Sequence, residues 1–151
     1  MTLGNNFNQP IDNLPPNLTH LTLGSNFNQP IDNLPPNLTH LTLGSNFNQL
    51  IDNLPSNLTH LTLGENFNQS IDNLPLTTKY LCFHIKYKFR DNIPSQIEYL
   101  DIKKNYYYNN SYVLNNINPN VKEIIIDKYD AKFILKKVPF GCKIIYKQYY
   151  W

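Results

Sequence analysis

Residues 7–26 read FNQPIDNLPPNLTHLTLGSN, and residues 27–46 repeat this stretch without a single change. A third copy, residues 47–66, differs at three positions, which are Leu50, Ser56 and Glu65. A fourth copy begins at Phe67 and diverges after Leu74. A unit of 20 residues is too short to bury its own apolar side chains and must stack on its neighbours, so the sequence predicts a solenoid.

The second part of the unit predicts a strand. Leu18 to Asn26 fit the pattern L-x-x-L-x-L-x-x-N, which is typical of leucine-rich repeats. Leu21 and Leu23 alternate with polar residues, so we expect them to point inward from a short strand while His20 and Thr22 point outward. The rest of the unit is rich in Pro and Asn and has no helical periodicity, which favours turns.

The predicted fold is therefore a leucine-rich-repeat-like β solenoid with little or no helix. It has a parallel β-sheet on its concave face and about seven coils of ~20 residues. The pattern continues in altered form through residues 80–83, 93–102 and 117–126, and a last degraded unit begins at Val138. We expect the aromatic end, residues 149–151, to cover the final coil.

We interpret residues 1–151 as a single repeat domain whose two parts differ in charge. Residues 1–75 hold the near-identical repeats, with 5 acidic residues and no Lys or Arg. Residues 76–151 hold the diverged repeats and the C-terminal cap, with all 13 Lys and Arg and 6 acidic residues, a net charge of +7. This asymmetry indicates a basic binding half.

The phrases FNQPI at residues 7–11 and LPPNLTHLTLG at 14–24 resemble the FNIP repeat, a leucine-rich-repeat-like unit found in social amoebae and in giant viruses that infect amoebae. The resemblance implies a parallel-strand solenoid that binds proteins and has no catalytic role. Many members of this family carry an F-box ahead of the repeats. Residues 1–3 already align with residues 21–23, so we expect no F-box here.

Equivalent residues of stacked coils lie about 4.8 Å apart in columns. The first outward column is predicted to contain His20, His40, His60, Tyr80, Tyr99 and Glu123. Three aligned histidines invite a metal site, but parallel side chains do not converge on one ion. We therefore predict no metal and no cofactor, and we expect solvated histidines that titrate near pH 6.5.

A second predicted column is structural and consists of Asn26, Asn46, Asn66 and Asn105. Leucine-rich repeats use asparagine at this position to bond backbone groups at the turn, so we expect these side chains to support the fold.

Recognition is predicted to lie in the diverged coils. Identical repeats present the same surface in every coil, so an asymmetric partner cannot select one register among them. From residue 80 onward the outward residues change to a mixture of aromatic and charged side chains of the kind that anchors protein interfaces. The predicted binding residues are Tyr80, Cys82, His84, Tyr99, Asp101, Lys103 and Glu123.

The sequence offers no support for an enzyme, since it has no glycine-rich phosphate loop, no G-x-S-x-G and no H-E-x-x-H. The alternative function is nucleic-acid binding by the basic half, where residues 86–90 and 103–108 interleave cations with aromatics. Strand alternation would turn about half of these side chains away from any one surface. We therefore predict a protein partner of unknown identity in preference to a nucleic-acid partner.

The chain contains no 18-residue apolar run and no signal-like N-terminal region, so we expect an intracellular protein without a membrane segment. Cys82 and Cys142 lack C-x-x-C spacing and are predicted to be free thiols. Residues 1–3 would form an uncapped strand edge, which favours fraying or self-association.

Overall fold

The protein is a stack of parallel strands. The computed structural model describes residues 1–85, 93–104, 114, 117–127 and 135–147. Its strands are β1 His20–Thr22, β2 His40–Thr42, β3 His60–Thr62, β4 Tyr80–Ile85, β5 Tyr99–Lys104, β6 Glu123–Asp127 and β7 Lys143–Lys147. They form one parallel sheet in chain order, β1 to β7, and the described residues contain no helix. The predicted β solenoid is confirmed.

The register of the sheet follows the repeat. His20 pairs with His40 and His40 with His60, an offset of 20 residues at each step. In the diverged half Tyr80 pairs with Tyr99. Tyr99 in turn pairs with Glu123, and the column ends at Lys143 of β7. The predicted first column is therefore confirmed and extends by one further strand.

Stacked columns of apolar side chains form the core. The inward leucines of the strands are almost fully buried from Leu21 through Leu81. Behind them the phenylalanine rings of successive coils stack at about 6 Å, with Phe27 6.2 Å from Phe47 and Phe47 6.3 Å from Phe67. Burying each such side chain stabilises the fold by about 1.5–3 kcal/mol, so every coil depends on the next for its share of the core.

Asparagine and glutamine side chains join the coils at the turn after the strand. The Asn28 Oδ1 accepts hydrogen bonds from the backbone N–H of Asn48 at 2.8 Å and from the Gln49 Nε2 at 3.2 Å. The same pair of bonds recurs one coil later, on the Asn48 Oδ1. These bonds satisfy a backbone donor that the turn leaves free.

The Asn26 column has a different geometry from the one expected. The Asn46 Nδ2 donates to the Asn26 Oδ1 at 3.2 Å, and the Asn66 Nδ2 donates to the Asn46 Oδ1 at 3.0 Å. These amides are exposed and bond to each other, while the turn itself is closed by backbone bonds such as Phe47 N–H to Gly44 O, 3.1 Å. Their contribution to stability stays a prediction.

Glycine sets the separation of the first coils. A Cβ built on Gly44 would lie 2.0 Å from the carbonyl oxygen of Gly24, and one built on Gly64 would lie 1.9 Å from that of Gly44. Strand β3 pairs with β4 so that Thr62 lies opposite Cys82, and two residues further on His84 lies opposite Gly64. His84 therefore follows Gly64 in the glycine column. Strands β1 to β3 have 3 residues each, whereas β4 and β5 have 6, so the strands lengthen where the glycine column ends.

Three expectations fall outside the described residues. They concern Asn105 of the asparagine column, the cationic and aromatic run at residues 86–90, and the aromatic end at residues 149–151.

Candidate functional site

The outward face of β1 to β3 carries a stack of three imidazole rings, which we call the histidine stack: His20, His40 and His60. Adjacent ring centroids lie 4.1 Å apart, with planes inclined by 10–12°. The Tyr80 ring continues the stack at 5.3 Å from His60. Because the rings lie face to face, only their edges are presented outward.

Each ring of the histidine stack is held by the threonine that precedes it. The Thr39 Oγ1 lies 2.9 Å from the His40 Nδ1 and also donates to the carbonyl oxygen of Thr19 at 3.0 Å. The same two contacts recur around Thr59 and His60. Burial lowers the pKa of His40 below its usual value, and repulsion from the two neighbouring imidazoles adds to this effect.

The stack does not form a metal centre in this geometry. In parallel rings the nitrogen lone pairs are parallel too, whereas a metal ion requires ligands that converge on one point. Among the described residues no three His, Cys, Asp or Glu side chains are placed to share an ion.

Next to the stack, β4, β5 and β7 bring together a polar network. The Tyr80 hydroxyl donates to the Asp101 Oδ2 at 3.3 Å, and the Lys147 Nζ donates to the Asp101 Oδ1 at 2.5 Å. Burial raises the pKa of Tyr80 well above its usual value, and the Asp101 carboxylate raises it further. Tyr80 therefore stays a neutral donor. The Asp101 side chain of β5 is held by side chains from β4 and from β7, which are not adjacent to each other in the sheet.

The seven predicted binding residues differ in their accessibility. Cys82 is in the outward column but is only 2% exposed. Burial raises the pKa of the Cys82 thiol, so it stays protonated. His84 is partly buried, and its Nδ1 has no hydrogen-bond partner among the described residues. Tyr99 is 38% exposed, which makes it the most accessible aromatic of the predicted seven.

A second set of charges lies one residue before the first outward column. Glu98 pairs with Lys79 at 3.6 Å and with Lys122 at shorter range. The hydrogen bond from Lys122 holds the pKa of the half-buried Glu98 carboxyl below its usual value, and both lysine charges add to this effect. Sequence reasoning did not identify Lys147 or this triad, because only the alignment of the columns shows which charges meet.

The architecture defines the chain as a leucine-rich-repeat-like parallel β solenoid. The FNIP repeat profile matches residues 7–46, 27–65 and 47–86, which together span more than half of the chain. The chain therefore belongs to the FNIP repeat family.

Among solved structures the chain is similar to the giant-virus protein CroV588, described as a novel circular LRR protein structure. The match has a TM-score of 0.55 and 30% sequence identity, and it covers 95% of this chain but 30% of CroV588. No curated protein sequence matches the chain. In the described part of the chain no helix is long and apolar enough to span a membrane.

Proposed function

We propose that the chain is a non-catalytic protein-interaction module whose binding surface lies on the outward face of β4 to β6. The surface consists of Tyr80, Cys82, His84, Tyr99, Asp101, Lys103 and Glu123. We add Lys147, since it holds Asp101 in place. The exposed Tyr99 ring beside the fixed Asp101 carboxylate is the observation that carries the proposal.

The arrangement has the features of an interface anchor. Tyrosine supplies a large contact area with few rotatable bonds, and interface hot spots are rich in it. Asp101 is held on both carboxylate oxygens before any partner arrives, so little side-chain entropy is lost on binding. Cys82 and His84 contribute through the shape and support of this surface, because their side chains are largely covered.

The test begins with a pull-down from the native cell to identify a partner, followed by affinity measurements on variants. Replacing Tyr80 and Tyr99 by Ala should weaken binding at least about tenfold, a loss of about 1.4 kcal/mol. The matched control replaces His20 and His40 by Ala at pH 7.5 and should change affinity less than about threefold. A folded histidine variant that loses more affinity than the tyrosine variant would place the surface elsewhere.

The observations favour a protein partner over a nucleic acid. Three of the described lysines are already paired, namely Lys79, Lys122 and Lys147. Phosphate binding by these groups would require breaking those pairs. A location inside the cell, and self-association through the edge at residues 1–3, stay predictions.

A further inference from the structure

Two rings of the histidine stack, His40 and His60, have a defined proton arrangement. A threonine hydroxyl has one proton to donate. The Thr39 and Thr59 hydroxyls donate theirs to the carbonyl oxygens of Thr19 and Thr39, each at 3.0 Å. The contact of each hydroxyl with its histidine Nδ1 at 2.9 Å must therefore be a bond that the ring donates. A neutral ring then carries its proton on Nδ1 and its lone pair on Nε2.

The Nε2 atoms are available to a partner. Among the described residues none donates to the Nε2 of His20, His40 or His60. The rings are exposed or half-buried, and their parallel stacking aligns the three Nε2 edges in one row. In the neutral state the Nε2 atoms of His40 and His60 are hydrogen-bond acceptors. Each proton taken up converts one of them into a charged N–H donor, because Nδ1 is already protonated.

Few other charges act on this row. Residues 1–75 contain no Lys or Arg, and the Met1 amine is bonded to the carbonyl oxygen of His20 at 2.8 Å. On the β4 side the stack meets Tyr80, whose hydroxyl bonds Asp101. Glu65 lies near His84 at the end of the glycine column. The Met1 amine thus places one positive charge at the His20 end of the face, and any further positive charge on the outward face of β1 to β3 comes from protonated histidines.

We propose that the histidine stack is a second interaction surface, which binds an acidic peptide segment in extended conformation when the rings are protonated and releases it when they are neutral. A carboxylate placed over two protonated rings accepts from both and relieves their mutual repulsion at 4.1 Å. Acidic side chains two residues apart in an extended peptide are separated by about 6.8 Å. This distance is shorter than the two ring-to-ring steps from His20 to His60, which are 4.1 Å each.

A nucleic acid fits this surface less well. Single-stranded nucleic acids gain affinity by stacking bases on open aromatic faces. Here both faces of His40 are covered by neighbouring imidazoles, and His60 lies between His40 and the Tyr80 ring.

The binding experiment uses the full chain and a fluorescent peptide of alternating glutamate and serine, at low ionic strength. Fluorescence anisotropy should show at least about tenfold tighter binding at pH 5.5 than at pH 7.5, because the histidines gain protons while glutamates near pKa 4.3 stay ionised. Replacing glutamate by glutamine in the peptide should abolish the gain. Circular dichroism at both pH values verifies that the protein stays folded.

Two variants locate the effect. The triple variant H20Q/H40Q/H60Q keeps polar side chains of similar reach but cannot take up protons in this range, and it should bind equally at both pH values. The control Lys143→Gln removes an outward charge from β7 and should leave the pH ratio unchanged. A triple variant that keeps the ratio, or a wild-type ratio below about threefold, overturns the proposal. An oligothymidine that also binds more tightly at pH 5.5 than at pH 7.5 overturns the proposal as well.

A spectroscopic measurement tests the chemistry without any ligand. Long-range ¹H–¹⁵N spectra of the wild-type protein at pH 7.5 should show His40 and His60 as Nδ1–H tautomers. Thr39→Val removes the acceptor of His40 and should shift that ring alone toward the Nε2–H form. Nε2–H tautomers in the wild type would refute the row of acceptors, whatever the binding data show. The partner-binding tyrosine variants are a separate test, so the two proposals can fail independently.

Discussion

The close approach of the glycine column can be tested by adding one methyl group. Gly44→Ala places a Cβ 2.0 Å from the carbonyl oxygen of Gly24 and 2.5 Å from its carbon. Both of these atoms belong to the backbone, so no flexible side chain can move aside. The coils must separate by more than about 1 Å before the contact becomes tolerable.

The cost follows from what that separation breaks. Two backbone hydrogen bonds cross the same gap, from Leu23 N–H to Thr42 O and from Asn46 N–H to Ser25 O, both at 2.9 Å. Losing each costs about 1 kcal/mol. Overpacking of this kind typically costs about 1–3 kcal/mol. We expect Gly44→Ala to lower the free energy of unfolding by about 3 kcal/mol, a large share of a small domain's stability.

Gly4→Ala is the matched control, because Gly4 has the same position in its unit and a Cβ there meets nothing within 4 Å. Gly4→Ala should leave the free energy of unfolding unchanged or raise it by up to about 1 kcal/mol, because alanine reduces the conformational freedom of the unfolded chain. Urea unfolding followed by circular dichroism measures both variants. The reasoning would be refuted if the two variants unfolded at the same urea concentration.

Further outcomes are expected from side chains of the same coils. Asn48→Ala should destabilise the fold by about 1–2 kcal/mol, because it leaves a backbone N–H without a partner, whereas Asn46→Ala in the exposed amide ladder should cost under about 0.5 kcal/mol in the same urea assay. The folded state lowers the pKa of His40, so it binds fewer protons than the unfolded chain. Stability should therefore fall as the pH drops below about 6.5, and less steeply in His40→Gln, as thermal unfolding at several pH values would show. In the native protein an alkylating reagent should modify Cys142 before the buried Cys82, and mass spectrometry should detect equal rates if this burial is wrong.

The register of the sheet could be predicted because the repeats are identical. A unit copied without change must pair with itself at a fixed offset, so His20 had to face His40. The same argument predicted the positions of Tyr99 and Glu123, although their coils share few residues with the early repeats. It holds because apolar residues still alternate with polar ones around Leu100 and Ile124. Fold prediction here depended on periodicity, which survives many substitutions.

The polar contacts could not be predicted in the same way. Each unit contains several asparagines. The sequence does not show that the Asn28 side chain accepts from the backbone N–H of the turn, whereas the Asn26 side chain bonds those of Asn6 and Asn46. The Lys147 side chain reaches past β6 to Asp101, a diagonal contact that no column predicts. The alternation of the strand correctly predicted that Cys82 points outward. It did not predict the burial of Cys82, which arises because a small side chain is covered by the longer side chains around it.

The identity of residues 7–26 and 27–46 means that removing 27–46 joins two segments that are already neighbours elsewhere in the chain. Every contact at the new junction, including the glycine approach and the amide bonds, exists in the parent protein between coils of the same sequence. Genetic slippage by a whole unit can therefore lengthen or shorten the array without creating an untested interface. A slip of any other length would misalign the glycines with the carbonyl groups they must clear. The population of viable length variants should then be quantised in steps of one coil, so that the reach of the surface can change while its local chemistry does not.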